Sequence, residues 1–226
     1  MTSKSLQAWF IHKQWSGDTS ARIYFFTSEL GLVQGLYKGG RTPKKQALLQ
    51  PFTPLWINLE ERRGHYYVQA VEQNGPMLPL VGASLFSALY LNELIHYILK
   101  PLASEPELFQ AYDYAVHHLS LTEEKQNIEA LLRRFEWSLL QVSGHHFSLT
   151  YEAETGQLVC PDKYYQFIAG HGIVLATKGI PGEHLFALAA DDLTKTEYLK
   201  SAKIIMRQAI DYLLGGREIK SRSLYQ

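Results

Sequence analysis

Leu6-Gln-Ala-Trp-Phe-Ile-His12 and Arg22-Ile-Tyr-Phe-Phe-Thr27 are short, aromatic and β-branched, and the polar turn Ser16-Gly-Asp-Thr-Ser20 separates them. Gly31-Leu-Val-Gln-Gly-Leu-Tyr37 follows through Ser28-Glu29-Leu30. Phe52-Thr-Pro-Leu-Trp-Ile-Asn-Leu59 and His65-Tyr-Tyr-Val-Gln-Ala-Val71 complete the series, joined by the charged tip Glu60-Glu-Arg-Arg-Gly64. Five short strands with turn signals between them predict a small closed barrel. The five-stranded OB-fold is the main solution, with an SH3-like barrel as its competitor.

Beyond Pro76 and Pro79 the hydrophobic period changes from two to helical. Ser84–Leu99, Pro106–Leu119 and Thr122–Val142 read as helices, the last stopped by Gly144. Positions 128, 131, 132, 135 and 139 form an apolar stripe that needs a partner. From about 145 to 180 the pattern loosens into short β-like pieces. A further helix runs from about Thr194 to Leu214 and stops at Gly215-Gly216. The expected fold class is α+β and multidomain: an OB-fold barrel over 1–80, then a helical domain over 81–226 with a small irregular insert and a basic C-terminal tail.

The composition narrows the function classes. Of 226 residues 46% are hydrophobic, with 14 Tyr, 10 Phe and 4 Trp, enough for a sizeable core and too many for a disordered chain. Cys160 is the only cysteine, so no internal disulfide forms, which fits a reducing compartment. The N-terminal residues carry no apolar signal core, and Val81–Leu99 is too interrupted by polar residues to span a bilayer. A soluble cytoplasmic protein is expected.

Zero net charge conceals segregation. Residues 1–80 hold nine Lys/Arg against five Asp/Glu, residues 81–194 six against fourteen, and residues 195–226 seven against three. Basic ends around an acidic middle suggest one polyanion-facing surface. The segment Lys38-Gly-Gly-Arg-Thr-Pro-Lys-Lys45 concentrates four cations on a Gly/Pro-rich turn, with Gly39 and Gly40 free to take unusual dihedrals. It reads either as a solvated hairpin tip or as a loop tracking a polyanionic backbone. Arg22, Lys38, Arg41, Lys44, Lys45, Arg62 and Arg63 interleave with Trp15, Tyr24, Tyr37, Trp56, Tyr66 and Tyr67. Cations for phosphates and ring faces for bases are the pairing that holds single-stranded nucleic acid. Phe25, Phe26 and Trp56 are expected inside the barrel instead. At the other end Arg217, Lys220 and Arg222 lie in a tail whose Ile219, Leu224 and Tyr225 argue that it packs back onto the protein.

Catalytic and metal signals are weak. Cys160 has no partner thiol, and His145, His146 and His171 do not fall at ligand spacing from it, so no metal is expected. Neither a nucleophile elbow nor a phosphate-binding loop is present. Asp191-Asp192 and Glu123-Glu124 are read as helix starts, where the dipole favours carboxylates.

Five segments in order resemble the bacterial recombination mediator family RecO: Gly31-Leu-Val with Lys38-Gly-Gly-Arg41, Leu49-Gln-Pro-Phe-Thr53, Leu89-Tyr-Leu-Asn-Glu-Leu94, Leu132-Arg-Arg-Phe-Glu-Trp137, and Leu214-Gly-Gly-Arg-Glu-Ile-Lys-Ser-Arg222. The resemblance implies an N-terminal OB-fold and a helical C-terminal domain. It also implies binding of single- and double-stranded DNA, annealing of complementary strands, and contact with RecR and with the C-terminal tail of single-strand-binding protein, to help RecA load. No catalytic turnover or cofactor is implied. Many members carry four zinc-binding cysteines; this chain retains only Cys160 and resembles the branch without the metal. For the acidic tail the resemblance points to the helical domain, where Leu85 and Leu89 would supply a groove and Arg133 or Arg134 a cation at its rim. The competing reading pairs Arg133 within its own helix, with Glu129 or Trp137. Rival functions are an RNA-binding OB-fold factor in translation or RNA processing, and a pure protein-interaction scaffold.

Overall fold

The computed structural model describes residues 2–225, which form two compact units. Among the described residues the first comprises 2–121 together with 219–225, and the second 122–218.

In the first unit, strands β1 (Thr2–Ser16), β2 (Ser20–Thr27), β3 (Gly31–Tyr37), β4 (Pro54–Arg62) and β5 (His65–Gln73) close into a barrel of order β1-β2-β3-β5-β4. All pairs are antiparallel except β3–β5, which meet in parallel at Gly35↔Tyr66 and Leu36↔Tyr67. A short helix, α1 (Pro43–Leu48), sits between β3 and β4. This order, with its one parallel closure and the helix after β3, is the OB arrangement, and it sets aside the SH3-like alternative. Strand alternation turns Ala8, Phe10, Ile23, Phe25, Val33, Leu55, Ile57 and Leu59 inward. Trp9 and Phe26, paired across β1 and β2, point outward yet are buried.

Their cover is α3 (Pro106–Leu119). Phe26 lies 5.4 Å from Phe109 and 5.9 Å from Tyr112, and the Trp9 indole donates to Asp113 Oδ1 at 3.2 Å. Helix α2 (Gly82–Ile98) packs against α3, and the buried Tyr112 hydroxyl donates to Asn92 Oδ1 at 2.6 Å. Burial pushes the Tyr112 phenol well above its ordinary pKa. Residues 220–225 form a 3₁₀-helix whose N-terminus is seated on α2: Glu93 accepts from the amides of Lys220 (2.9 Å) and Ser221 (2.8 Å) and from Ser221 Oγ (2.7 Å). The expected tail is therefore a folded turn, with Ile219 buried beneath it. The side chain of Tyr225 lies outside the described residues.

In the second unit, α4 (Lys125–Val142) packs against α6 (Thr196–Leu214). The stripe Ile128, Leu131, Leu132, Phe135 and Leu139 is buried, as the helical spacing predicts. A three-stranded sheet of order β7-β6-β8 occupies the irregular stretch, formed by β6 (Tyr164–Ile168), β7 (Gly172–Ala176) and β8 (Ile180–Pro181). Helix α5 (Gly182–Ala189), absent from the sequence reading, follows it. Asp191 and Asp192 consequently follow a helix end instead of opening α6. Asp192 accepts from the amide and hydroxyl of Thr194, and these bonds hold its carboxyl below the usual range. No helix among the described residues is long and apolar enough to cross a membrane.

Candidate nucleic-acid and partner sites

The loop from Lys38 to Lys45 is more ordered than a hairpin tip. Thr42 is the extended N-cap of α1 and Pro43 its first residue, where the fixed proline φ suits a helix and no amide is missed. Lys44 and Lys45 therefore ride on a helical turn and not on a bare Gly/Pro-rich turn. Gly39 takes φ 65°, and at Gly40 a Cβ would come within 2.8 Å of the Tyr37 carbonyl oxygen, so the close turn needs glycine there.

Three cations of this region lie on aromatic rings. The Arg41 guanidinium sits 4.9 Å from the centre of the Trp15 ring, and its Nη1 donates to the Gly17 carbonyl at 2.9 Å. Lys13 Nζ lies 5.3 Å from the same ring and is held by the Gln46 side chain, which in turn donates to the Gly40 carbonyl. Lys45 Nζ is 4.3 Å from the Tyr37 ring and donates to the Lys38 carbonyl at 2.7 Å. Trp15 is 49% exposed. Lys38 and Lys44 project into solvent. Lys13 was missed by the sequence reading. Its signal was there: on a strand, residues two apart share a face, which puts Lys13 beside Trp15.

A second cluster lies where β3 meets β5. A cleft of about 520 Å³ is lined by Arg22, Gln34, His65, Tyr66 and Tyr67, among others. OB-folds bind oligonucleotides on the β2–β3 face and on the β1–β2 and β4–β5 loops, and this cleft uses that face and the β4–β5 end. Arg62 lies 5.5 Å from the Tyr67 ring but is engaged by Glu60, through Nε at 2.8 Å and Nη2 at 2.7 Å. That contact holds the Glu60 carboxyl below the usual carboxylate range and raises the Arg62 pKa. Arg63 and Gly64 form the two-residue hairpin turn, both with positive φ, leaving the Arg63 side chain exposed at the tip. Trp56, expected in the interior, is 43% exposed on the outside of β4, because Leu55, Ile57 and Leu59 take the inward positions.

The basic tail residues divide between the units. Lys220 is exposed and Arg222 lies 5.8 Å from the Tyr90 ring in the first unit, whereas Arg217 belongs to the second.

The four residues expected to hold a partner tail also divide. Leu85 and Leu89 are half-buried on α2, in the first unit. Arg133 and Arg134 lie on α4 in the second, where both line a cavity of about 270 Å³ with Trp137, Leu149, Leu193 and Met206 as its apolar wall. Arg133 is buried and paired with Glu136 at 2.9 Å, so neither Glu129 nor Trp137 is its polar partner. Its Nε is also buried and has no hydrogen-bond acceptor among the described residues. Arg134 is exposed, and its Nε donates to both carboxylate oxygens of Asp191, at 3.0 and 2.9 Å. The cavity thus combines an apolar wall with guanidinium groups and the Asp191 carboxylate at its edge. Among the described residues, no group of three or more His, Cys, Asp or Glu side chains is arranged to hold a metal ion.

Residues 1–76 match the family model described as Recombination protein O N terminal, and residues 82–223 match Recombination protein O C terminal. The chain is 61% identical over 226 residues to the DNA repair protein RecO of Legionella pneumophila (strain Corby), covering all of this chain and 99% of that protein. Identity to the DNA repair protein RecO of Pseudoalteromonas atlantica is 35% over 233 residues, covering 100% of this chain and 95% of the relative. With that of Vibrio cholerae it is 33% over 234 residues, covering 99% and 95%.

Proposed function

The chain belongs to the RecO family, and from that premise we propose that it is a recombination mediator in DNA repair. It binds single- and double-stranded DNA and anneals complementary strands. With RecR it helps RecA load onto DNA coated by single-strand-binding protein, without catalytic turnover and without a cofactor, in the cytoplasm and at the nucleoid.

The observation that carries this reading is the barrel's cation-on-aromatic loop, with Arg41 and Lys13 at Trp15 and Lys45 at Tyr37, beside the cleft of Arg22, Tyr66 and Tyr67. Positive charge in this arrangement neutralises phosphates, and the exposed Trp15 ring accepts a stacked base, whereas Tyr37 is buried in the barrel core and only seats the Lys45 ammonium. Annealing follows from the same physics. Two strands repel, and a protein that engages both removes part of that repulsion. Arg63, Lys38 and Lys44 add exposed charge along the same unit, with Lys220, Arg222 and Arg217 as additional phosphate contacts. The cavity beside Arg133 and Arg134 takes the C-terminal tail of single-strand-binding protein, its carboxylates on the guanidinium rim and its terminal apolar side chain against Trp137 and Leu149.

The test is annealing of complementary strands, each coated with single-strand-binding protein that carries or lacks its acidic tail. Annealing of the coated strands that depends on the tail is the expected result. Failure to anneal naked strands removes the DNA-handling role, and equal annealing with and without the tail removes the partner contact.

A further inference from the structure

The rim of the arginine-lined cavity already carries a carboxylate, and it belongs to this chain. Both oxygens of Asp191 meet the same nitrogen of Arg134, so the fork geometry of a two-nitrogen carboxylate clasp is not made. Asp191 has φ 54°, the left-handed region, directly after the end of α5. Glycine or asparagine is the usual residue at such a position, since other side chains crowd the backbone there. Two backbone bonds of the α5 cap hold that conformation, Asp191 N to the Leu188 carbonyl at 3.1 Å and Asp192 N to the Ala187 carbonyl at 2.8 Å, and the turn they make presents the Asp191 carboxylate to Arg134.

We propose that Asp191 is an internal competitor for the partner's carboxylates: it holds Arg134 in the free protein and is displaced when an acidic peptide enters the cavity. The inference rests on the reading of this cavity as the site of the acidic tail. Magnitude favours a displaceable contact over a structural one. The side chains of Arg134 and Asp191 are 43% and 62% exposed, and exposed ion pairs contribute little to stability. The contact is therefore weak enough to yield to a peptide with several carboxylates. It lowers the affinity of every carboxylate for Arg134 by the same factor, which a peptide with further contacts in the cavity absorbs. The neighbouring Arg133 is suited to the incoming peptide in a different way. Its buried Nε has no acceptor among the described residues, and a buried donor of that kind is completed by a ligand oxygen.

The experiment titrates the full chain with a fluorescent synthetic peptide carrying several Asp residues and ending in Phe with a free carboxylate. Asp191→Asn keeps the left-handed preference and removes the charge, and Asp191→Gly removes the side chain and the backbone strain together. Both are expected to tighten binding by about threefold to fivefold, the range that corresponds to an exposed ion pair. Arg134→Ala is expected to weaken it. In the Arg134→Ala background, Asp191→Asn is expected to change nothing, because the competitor no longer has a target. Wild-type affinity in both Asp191 variants, with Arg134→Ala still weakened, overturns the competitor and leaves the cavity assignment standing. Equal tightening with and without Arg134 also overturns it, since the effect is then a general loss of negative charge. Wild-type binding by Arg134→Ala removes the cavity assignment itself, and the competitor with it.

Discussion

Replacing Arg41, Lys44 and Lys45 together with alanine should change how salt acts on DNA binding more than it changes the fold. All three lie on the loop and helical turn after β3, and none belongs to the barrel core. If each engages one phosphate of single-stranded DNA, removing them lowers the slope of log affinity against log salt by about 2, at roughly 0.7 per contact. Between about 50 and about 200 mM salt, the wild type should then lose roughly 20-fold more affinity than the variant. Fluorescence anisotropy with a labelled oligothymidylate across that range reads the slope directly. Arg41 also donates to the Gly17 carbonyl, so Lys44→Ala alone is the cleaner companion and should lower the slope by about 0.7. Arg62→Ala should lower it by less than about 0.5, because Glu60 already neutralises that guanidinium. An unchanged slope in a triple variant whose barrel still melts cooperatively would refute the reasoning. So would an Arg62→Ala effect as large as that of Lys44→Ala.

Glu93→Ala removes the acceptor of three hydrogen bonds at residues 220 and 221, and should lower stability by about 1–3 kcal/mol, read as a shifted urea midpoint. Arg133→Ala strips the buried Glu136 of its arginine and should cost about 3–5 kcal/mol, whereas Arg133→Met combined with Glu136→Leu should be near neutral in the same unfolding assay. Arg133→Ala is for that reason a poor probe of peptide binding. His12 is exposed as a residue, but its ring is partly desolvated against the Tyr24 and His96 rings, 5.7 and 4.4 Å away, which lowers its pKa, so the unfolded chain protonates first. Its contribution to stability is complete above about pH 6.5 and is lost as pH falls through the folded pKa. His12→Gln should flatten stability over that interval, and an unchanged profile in urea titrations would remove the assignment.

The barrel was legible because its strands carry their own signature. Leu55, Ile57 and Leu59 alternate with Trp56 and Asn58, and that period of two is written locally. The same alternation puts Trp56 outside, so its assignment to the interior weighed residue type above position. Helix α1 escaped because Pro43 both stiffens turns and opens helices, and only the placement of Thr42 before it separates the two uses. Helix α5 is eight residues long, too short for a periodic stripe to stand out. For the partner cavity, the sequence singled out Arg133 and Arg134 but not their fates. One is buried on Glu136 three residues away, and the other reaches Asp191 across 57 positions. Local spacing offers the first pair and contains no trace of the second. The Glu93 contact, 127–128 positions from its donors, is equally invisible to any window along the chain.

That contact also sets an order of assembly. The unit that holds the barrel includes residues 219–225, and the whole of residues 122–218 is synthesised between α3 and them. During translation the barrel and the α2–α3 pair can form early, but the α2 surface around Glu93 and Tyr90 stays uncovered until Ile219 and its neighbours emerge. The closing step spans a long loop of chain, and its entropic penalty falls if the second unit has already condensed and shortened the distance to be bridged. Completion of the first unit thus reports that the second has been made.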